Sequence, residues 1–106
     1  MNADAAKIFK ALGDENRLEI LNLIRDREIC ATDILKNVSI GQSTLSHHMK
    51  ILCESGIVNC RRSGKQTYYS ISYDGTMQVC AFISDFAPAE KQSSQDKRVM
   101  DVVLLW

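Results

Sequence analysis

Short polar and basic side chains are concentrated between residues 42 and 66. The whole chain has 13 basic and 13 acidic residues, but residues 42–70 contain four basic residues and one acidic residue. Hydroxyl, amide and imidazole groups can contact base edges in the major groove of DNA, and lysine and arginine can neutralise phosphates. This segment is therefore where we expect a polyanion to bind. The predicted DNA-contacting residues are Gln42, Ser43, Thr44, Ser46, His47, Lys50, Arg61, Arg62, Lys65 and Gln66.

Four cysteines are the other side chains that could carry chemistry. Cys30, Cys53, Cys60 and Cys80 are separated by 23, 7 and 20 residues, so no CxxC or paired zinc-ligand spacing is present. Each is either a small buried hydrophobe or a thiol that senses an inducer or an oxidant. Thiolates suit soft metals and arsenite, so Cys30 with a second cysteine could bind such an inducer. Redox sensing through a disulfide or persulfide, and the absence of any inducer, remain alternatives.

The composition excludes some classes of protein. The 106 residues are 45% hydrophobic, which is enough for about one core. No segment reaches the roughly 18 consecutive apolar residues of a membrane span, and Met1–Lys10 lacks a signal-peptide pattern. We therefore expect a cytoplasmic protein with reduced thiols, no required cofactor and no membrane partner.

Three short helices are predicted before the polar segment. Apolar spacing and capping signals place them over Ala5–Leu12, Asp14–Arg25 and Cys30–Val38. Asp14 is the predicted N-cap of the second helix, and Thr32 or Asp33 is predicted to begin the third. The residues predicted to bury the second helix are Leu18, Leu21 and Ile24.

A fourth helix is predicted to present the polar face. Ser39 and Gln42 have capping-box spacing, which predicts that this helix starts there and continues to Leu52 or Glu54. Its core face is predicted to contain Leu45, Met49 and Leu52, and its opposite face Ser43, Ser46, His47 and Lys50. His48 points elsewhere and is expected to pack or to cap.

A hairpin and a last helix complete the predicted domain. Ile57–Arg62 and Gln66–Ser72 are predicted strands, joined by a tight turn at Ser63-Gly64 with Lys65 in the loop. Residues from about Gly75 to Phe86 form a helix that is apolar nearly all round, which predicts packing on a second subunit. Residues 1–88 are the predicted DNA-binding and dimerisation domain, and 89–106 a C-terminal tail of unassigned structure.

Two short helices joined by a turn and followed by a basic hairpin predict a winged helix-turn-helix. The predicted fold class is mainly α with a small β-hairpin (α+β), with about five helices and a two-stranded wing.

The sequence also resembles the ArsR/SmtB family of bacterial metalloregulatory repressors over roughly residues 5 to 86. The resemblance implies a homodimer formed through the first and last helices, bound to an inverted-repeat operator on double-stranded DNA and released by an inducer. The blocks that carry it are Ala11-Leu12-Gly13-Asp14, Arg17-Leu18, Ile20-Leu21, Gln42 to Leu52, Gly56-Ile57-Val58, and Arg61 to Gln66 with Tyr68-Tyr69.

The sequence departs from the family's two ligand motifs. Glu28 to Ile34 is similar to the third-helix motif in which a Cys-Val-Cys pair precedes Asp-Leu, but Thr32 stands where the second cysteine is expected. Cys30 is therefore the best metal-ligand candidate, although a chelate from that helix alone is not expected. The family's other site uses Asp and His on the last helix, and Asp74–Phe86 contains no histidine.

The composition and the placement of the histidines bear on two other classes of function. A winged-helix module repurposed for protein or RNA binding is compatible with the zero net charge. An enzyme is not expected, because both histidines lie on the exposed helix and no phosphate loop or nucleophile elbow occurs.

Overall fold

The computed structural model describes residues 2–89, with side chains from residue 4 onward. This part of the chain forms five helices and a three-stranded antiparallel sheet of order β1-β3-β2. The predicted winged helix-turn-helix is confirmed, and the predicted tail from residue 90 onward lies outside the described residues. The elements are α1 (Asn2–Leu12), α2 (Glu15–Ile24), β1 (Ile29–Cys30), α3 (Ala31–Lys36), α4 (Gln42–Ser55), β2 (Val58–Ser63), β3 (Gln66–Ile71) and α5 (Tyr73–Ser84).

The first four helices supply the largest fully buried side chains. Helix α4 packs against α1, α2 and β2, and the α5 side chain that packs on this core, Val79, is only partly buried. Burial of aliphatic side chains of this size stabilises a fold by about 1.5–3 kcal/mol each. The core is therefore centred on α4, the helix that carries the predicted DNA-contacting face. These buried side chains are Ile8, Ile20, Ile24, Ile34, Met49 and Leu52.

Helix α2 begins as predicted, and its predicted core residues Leu21 and Ile24 pack on the core, but Leu18 does not. The Asp14 carboxylate accepts hydrogen bonds from the backbone N–H groups of Asn16 and Arg17, which confirms the N-cap. Ile20 and Ile24 are buried, whereas Leu18 is 47% exposed. The apolar spacing of Leu18 was therefore misleading, because the position of α4 decides which side of α2 is covered.

The segment around Cys30 differs from the prediction. Ile29 and Cys30 form β1, which pairs with Tyr69 and Tyr68 of β3, so the sheet has a third strand beyond the predicted wing. Cys30 is the N-cap of α3, and the helix begins at Ala31 rather than at Thr32 or Asp33. A two-residue strand carries no periodicity of its own, because it forms only when a distant strand supplies the hydrogen bonds.

Helix α4 and the wing turn also begin one or two residues away from their predicted positions. The N-cap of α4 is Gly41, not Ser39, and Gln42 is the first helical residue, so no capping box forms. Ser63 pairs with Gln66, so Ser63 belongs to the strand and the turn contains only Gly64 and Lys65, both predicted to lie in the connection. Gly64 has a φ of 62°, the left-handed conformation that glycine adopts readily and that a two-residue hairpin requires.

Helix α5 packs through its first turn. It starts at Tyr73, two residues before the predicted start, and the Ser72 hydroxyl accepts a hydrogen bond from the Gly75 backbone N–H. Gly75 is buried against the backbone of Gly56 and Ile57, where α4 turns into β2. None of the helices in residues 2–89 has the length and apolarity needed to span a membrane.

We predict that Gly75→Ala destabilises the domain even though alanine is the better helix former. The added Cβ would collide with the backbone carbonyl of Gly56, and backbone cannot rotate away as a long side chain can. The expected cost is about 1–3 kcal/mol of unfolding free energy, measured by urea denaturation. Gln78→Ala, at an exposed position of the same helix, is the control and should have little effect. Equal stability of the Gly75→Ala variant and the wild type would contradict this packing.

Candidate nucleic-acid interface and thiol groups

Helix α4 divides sharply into a core side and a solvent side. Leu45, Met49 and Leu52 are buried as predicted, and His48 is also buried, with 7% of its surface exposed. The six predicted DNA-contacting residues of this helix are all exposed: Gln42, Ser43, Thr44, Ser46, His47 and Lys50. Because these side chains are not needed for packing, the helix can offer them to a ligand without loss of core contacts.

His48 is held by an arginine from α2. The Arg17 guanidinium donates to the carbonyl oxygens of Ala11 and Lys10 at 2.7 and 3.2 Å, and its Nη1 lies 3.1 Å from His48 Nδ1. Arginine only donates, so His48 Nδ1 is the acceptor in this contact. This network links the end of α1, α2 and α4, and it sets the position of the exposed α4 face. It confirms the prediction that His48 packs, but sequence reasoning missed its partner, which lies 31 residues away.

Asp14, the N-cap of α2, leads to a prediction about the stability of the protein at acid pH. The backbone N–H of Arg17 donates to Asp14 and holds the pKa of that carboxyl below its ordinary value of 3.8. A lowered folded pKa means that the stabilisation is present above the unfolded pKa and is lost as the pH falls through the folded pKa. We expect Asp14→Asn to retain the cap at pH 7 and to show a smaller loss of stability below about pH 4. Thermal unfolding of both proteins as a function of pH tests this, and parallel curves would refute it.

The predicted DNA-contacting residues of the wing differ in whether their side chains already form hydrogen bonds within the protein. Lys65 is exposed at the turn, and the Arg62 guanidinium donates to the Thr67 hydroxyl at 3.3 Å. The Gln66 amide oxygen accepts a hydrogen bond from the Thr32 hydroxyl of α3 at 3.2 Å. Thus Lys65 is free to reach a ligand, and Gln66 also joins the start of β3 to the helix-turn-helix.

Arg61 anchors the outer strand of the wing to the segment before β1. Its Nε and Nη2 atoms donate to the two carboxylate oxygens of Glu28 at 3.0 and 2.7 Å, and its guanidinium lies 4.8 Å from the centre of the Tyr68 ring. This pairing lowers the pKa of Glu28 and raises that of Arg61. Tyr68 pairs with Arg61 on one side and Cys30 on the other, so the three residues form one row across the sheet. The partnership was not predicted, because 33 residues separate the two charges.

The four cysteines are free thiols in different environments. Cys30 is half-buried and lines a pocket of about 270 Å³ with Glu28, Asp33 and Tyr68. Cys80 is exposed on α5. Within the part of the chain that the structure describes, no group of three or more Cys, His, Asp or Glu residues could hold a metal ion. The described residues therefore do not bring a second and third ligand to Cys30.

Cys53 and Cys60 are brought together by the turn between α4 and β2. The Cys60 thiol lies close enough to Cys53 to influence its pKa, and Tyr69 lies near both. Burial, reinforced by the neighbouring Cys60 thiol, raises the pKa of Cys53 to about 12. Sequence reasoning treated these cysteines separately; their spacing alone gave no sign of this proximity.

Comparison with known proteins agrees with this geometry. The family model for the bacterial regulatory protein, arsR family, matches residues 14–59, which include α2, α3 and α4. The arsenical resistance operon repressor of Staphylococcus aureus is 40% identical over 70 residues, covering 66% of this chain and 67% of the relative. The chain belongs to the arsR family. It is thus a DNA-binding transcriptional regulator, and the family is not one of enzymes.

Two further comparisons describe the place of this arsR-family regulator among its relatives. A cadmium resistance transcriptional regulatory protein CadC homologue of Staphylococcus aureus is 35% identical over 77 residues, covering 72% of this chain and 64% of the relative. The solved structure of an ArsR-like transcriptional regulator from Rhodococcus has the same fold, with a TM-score of 0.72 at 19% identity, covering 98% of this chain and 93% of that one. The winged-helix architecture therefore persists where few residues are shared.

Proposed function

We propose that this arsR-family regulator is a homodimeric repressor that binds an inverted-repeat operator and is released by an inducer acting on cysteine thiols. The observation that carries the proposal is the exposed polar face of α4 beside the basic wing. A helix of this kind fits the major groove, and two copies related by a two-fold axis fit a palindromic site. The cytoplasmic location inferred from the sequence stays a prediction.

The proposed DNA contacts fall into two groups. Gln42, Ser43, Thr44, Ser46 and His47 are proposed to contact base edges, because their side chains are short or bear both donors and acceptors. Lys50 and the wing are proposed to neutralise phosphates, which sets affinity and register. The proposed wing contacts are the charged Arg62 and Lys65 and the uncharged Gln66, whereas Arg61 is paired with Glu28 and is proposed to position the wing.

The proposed dimer interface consists of α1 and α5. Phe82 of α5 packs between Phe9 of α1 and Phe86, with ring centres 5.7 and 5.4 Å away. Beyond this stack, Ile83 is 52% and Phe86 71% exposed, and Met77 is also exposed. Several large apolar side chains exposed on one helix are typical of a subunit interface. The partner we propose to cover it is a second copy of the chain.

The proposed inducer is a soft metal, a metalloid or a redox species. The relatives described above are named for arsenical and cadmium resistance, and thiolates are good ligands for both elements. Cys30 is the candidate suggested by the family motif, and Cys53, Cys60 and Cys80 are the others. No bound group is required for the fold in this proposal.

Fluorescence anisotropy with the protein's own upstream DNA tests the proposal. We expect tight binding to that DNA and binding at least about 10³-fold weaker to random duplex of equal length. Affinity should fall by roughly 10³ to 10⁵ between about 50 and 200 mM salt if six to ten phosphates are contacted. Failure to discriminate the two duplexes would refute sequence-specific repression and favour a module that binds protein or RNA.

Arg61 and Lys65 allow a further prediction within this function. The charge of Arg61 is already compensated by Glu28, whereas Lys65 is exposed at the turn. We expect Lys65→Gln to reduce the slope of log affinity against log salt by about 0.9, the value for one phosphate contact. Arg61→Gln should weaken binding about two- to five-fold through loss of wing positioning, with little change in slope. Equal slope changes in the two variants would show that Arg61 contacts phosphate instead.

A further inference from the structure

Two thiols lie near one another, one in the second half of α4 and one in β2, the outer strand of the wing. On β2, Val58 is 4% exposed and faces the core, and side chains alternate along a strand, so Cys60 lies on the same face two residues later. Cys53 lies in α4, the helix that covers this face, and packs against the same core cluster. The chain reverses between them at Gly56, whose φ of 92° ends the helix.

The thiols are arranged for a common ligand. Helix α4 packs on β2, and the two thiols are neighbours across that contact. Cys60 is exposed, so a small reagent can enter from solvent without unfolding the turn. Tyr69 lies opposite Cys60 in the sheet and packs against the core, which closes one side of the pair. Two sulfur atoms on one side and solvent on the other suit an element that takes two thiolates and retains one further ligand.

We propose that Cys53 and Cys60 form a dithiol site for a trivalent arsenical such as arsenite. In the binding step two S–H bonds and two As–OH bonds break and two As–S bonds form, and the thiol protons leave with the hydroxides as two water molecules. Arsenic stays trivalent, so the step needs no oxidant or reductant. The site differs from the third-helix motif that contains Cys30, and its regulatory role rests on the proposed repressor function.

Occupation of the site would join α4 to β2 covalently. The proposed base-contacting face and the proposed phosphate-contacting wing would then be fixed relative to one another. We expect this cross-link to weaken operator binding, because both elements must adjust together to fit the DNA.

The test uses the full chain with Cys30→Ser and Cys80→Ser, in which Cys53 and Cys60 are the only remaining thiols. Reduced protein without DNA is titrated with phenylarsine oxide, and thiol loss and native mass are measured. We expect one phenylarsine group per chain, loss of both thiols, and an affinity equal to that of the wild-type site. Adding Cys60→Ser, an exposed position that should not affect folding, should weaken binding by at least about 100-fold, because one of two linked bonds is lost.

Three results would overturn the assignment. They are absence of binding in the two-thiol protein, unchanged binding after Cys60→Ser, and loss of both thiols without the added mass, which indicates a disulfide. Operator binding is measured separately, with and without arsenite. If unloaded protein does not bind its operator, the proposed repressor function fails, whereas the phenylarsine stoichiometry still decides whether the dithiol site exists.

Discussion

Replacing Ile83 with glutamate should abolish operator binding while each subunit remains folded. Ile83 is 52% exposed on α5, so the carboxylate costs little in an isolated chain. In the proposed dimer the same position is covered by the partner, and a buried unpaired charge costs about 3–5 kcal/mol. A two-fold interface contains the substitution twice. We therefore expect the dimer dissociation constant to rise by at least about 10³-fold.

Analytical ultracentrifugation over a concentration series measures this change directly. Leu18→Glu is the matched control, because Leu18 is also a large exposed apolar residue but lies on α2, outside the proposed interface. The control should remain dimeric and bind the operator. A dimer of normal affinity in the Ile83→Glu variant would show that α5 does not form the interface.

Introducing glutamate at Ser46 should remove DNA binding without loss of stability or dimerisation. Ser46 is an exposed residue in the first half of α4, beside other exposed residues of the proposed DNA-contacting set. In the proposed complex the new carboxylate would enter the major groove between two rows of phosphates, and like charges placed together cost several kcal/mol. We expect affinity for operator and random duplex alike to fall by on the order of 10²–10³-fold.

Asn22→Glu provides the control for charge, since Asn22 is an exposed residue of α2 and the variant has the same net charge as Ser46→Glu. Its affinity should fall only slightly, through long-range repulsion. Both variants should have wild-type unfolding curves. If the two variants bind DNA equally well, the exposed α4 face is not the DNA-binding surface.

Much of the fold was predictable because helices and strands carry local periods. The core and solvent faces of α4 follow from Leu45, Met49 and Leu52 at helical spacing, and burial confirms all three. The N-cap Asp14 was predictable for the same reason, because its hydrogen bonds reach only two and three residues along the chain. The family resemblance carried by the α4 and wing residues gave the class of regulator.

The site was less predictable wherever a side chain's partner is distant in sequence. Arg61 was expected to point at phosphate, but its partner Glu28 lies on a segment that becomes adjacent only when β1 joins the sheet. Arg17 likewise meets His48 only after α2 packs on α4. No pattern within either segment indicates these pairs.

The sequence by itself therefore determined the type of elements, the polar face of α4 and the basic wing, because hydrophobic period and capping act over a few residues. Only the tertiary structure decided the third strand, the exposure of Leu18, and the proximity of Cys53 and Cys60. The physical reason is the same in each case. Which surfaces meet depends on how all the elements pack around one core, and that arrangement is a property of the whole chain.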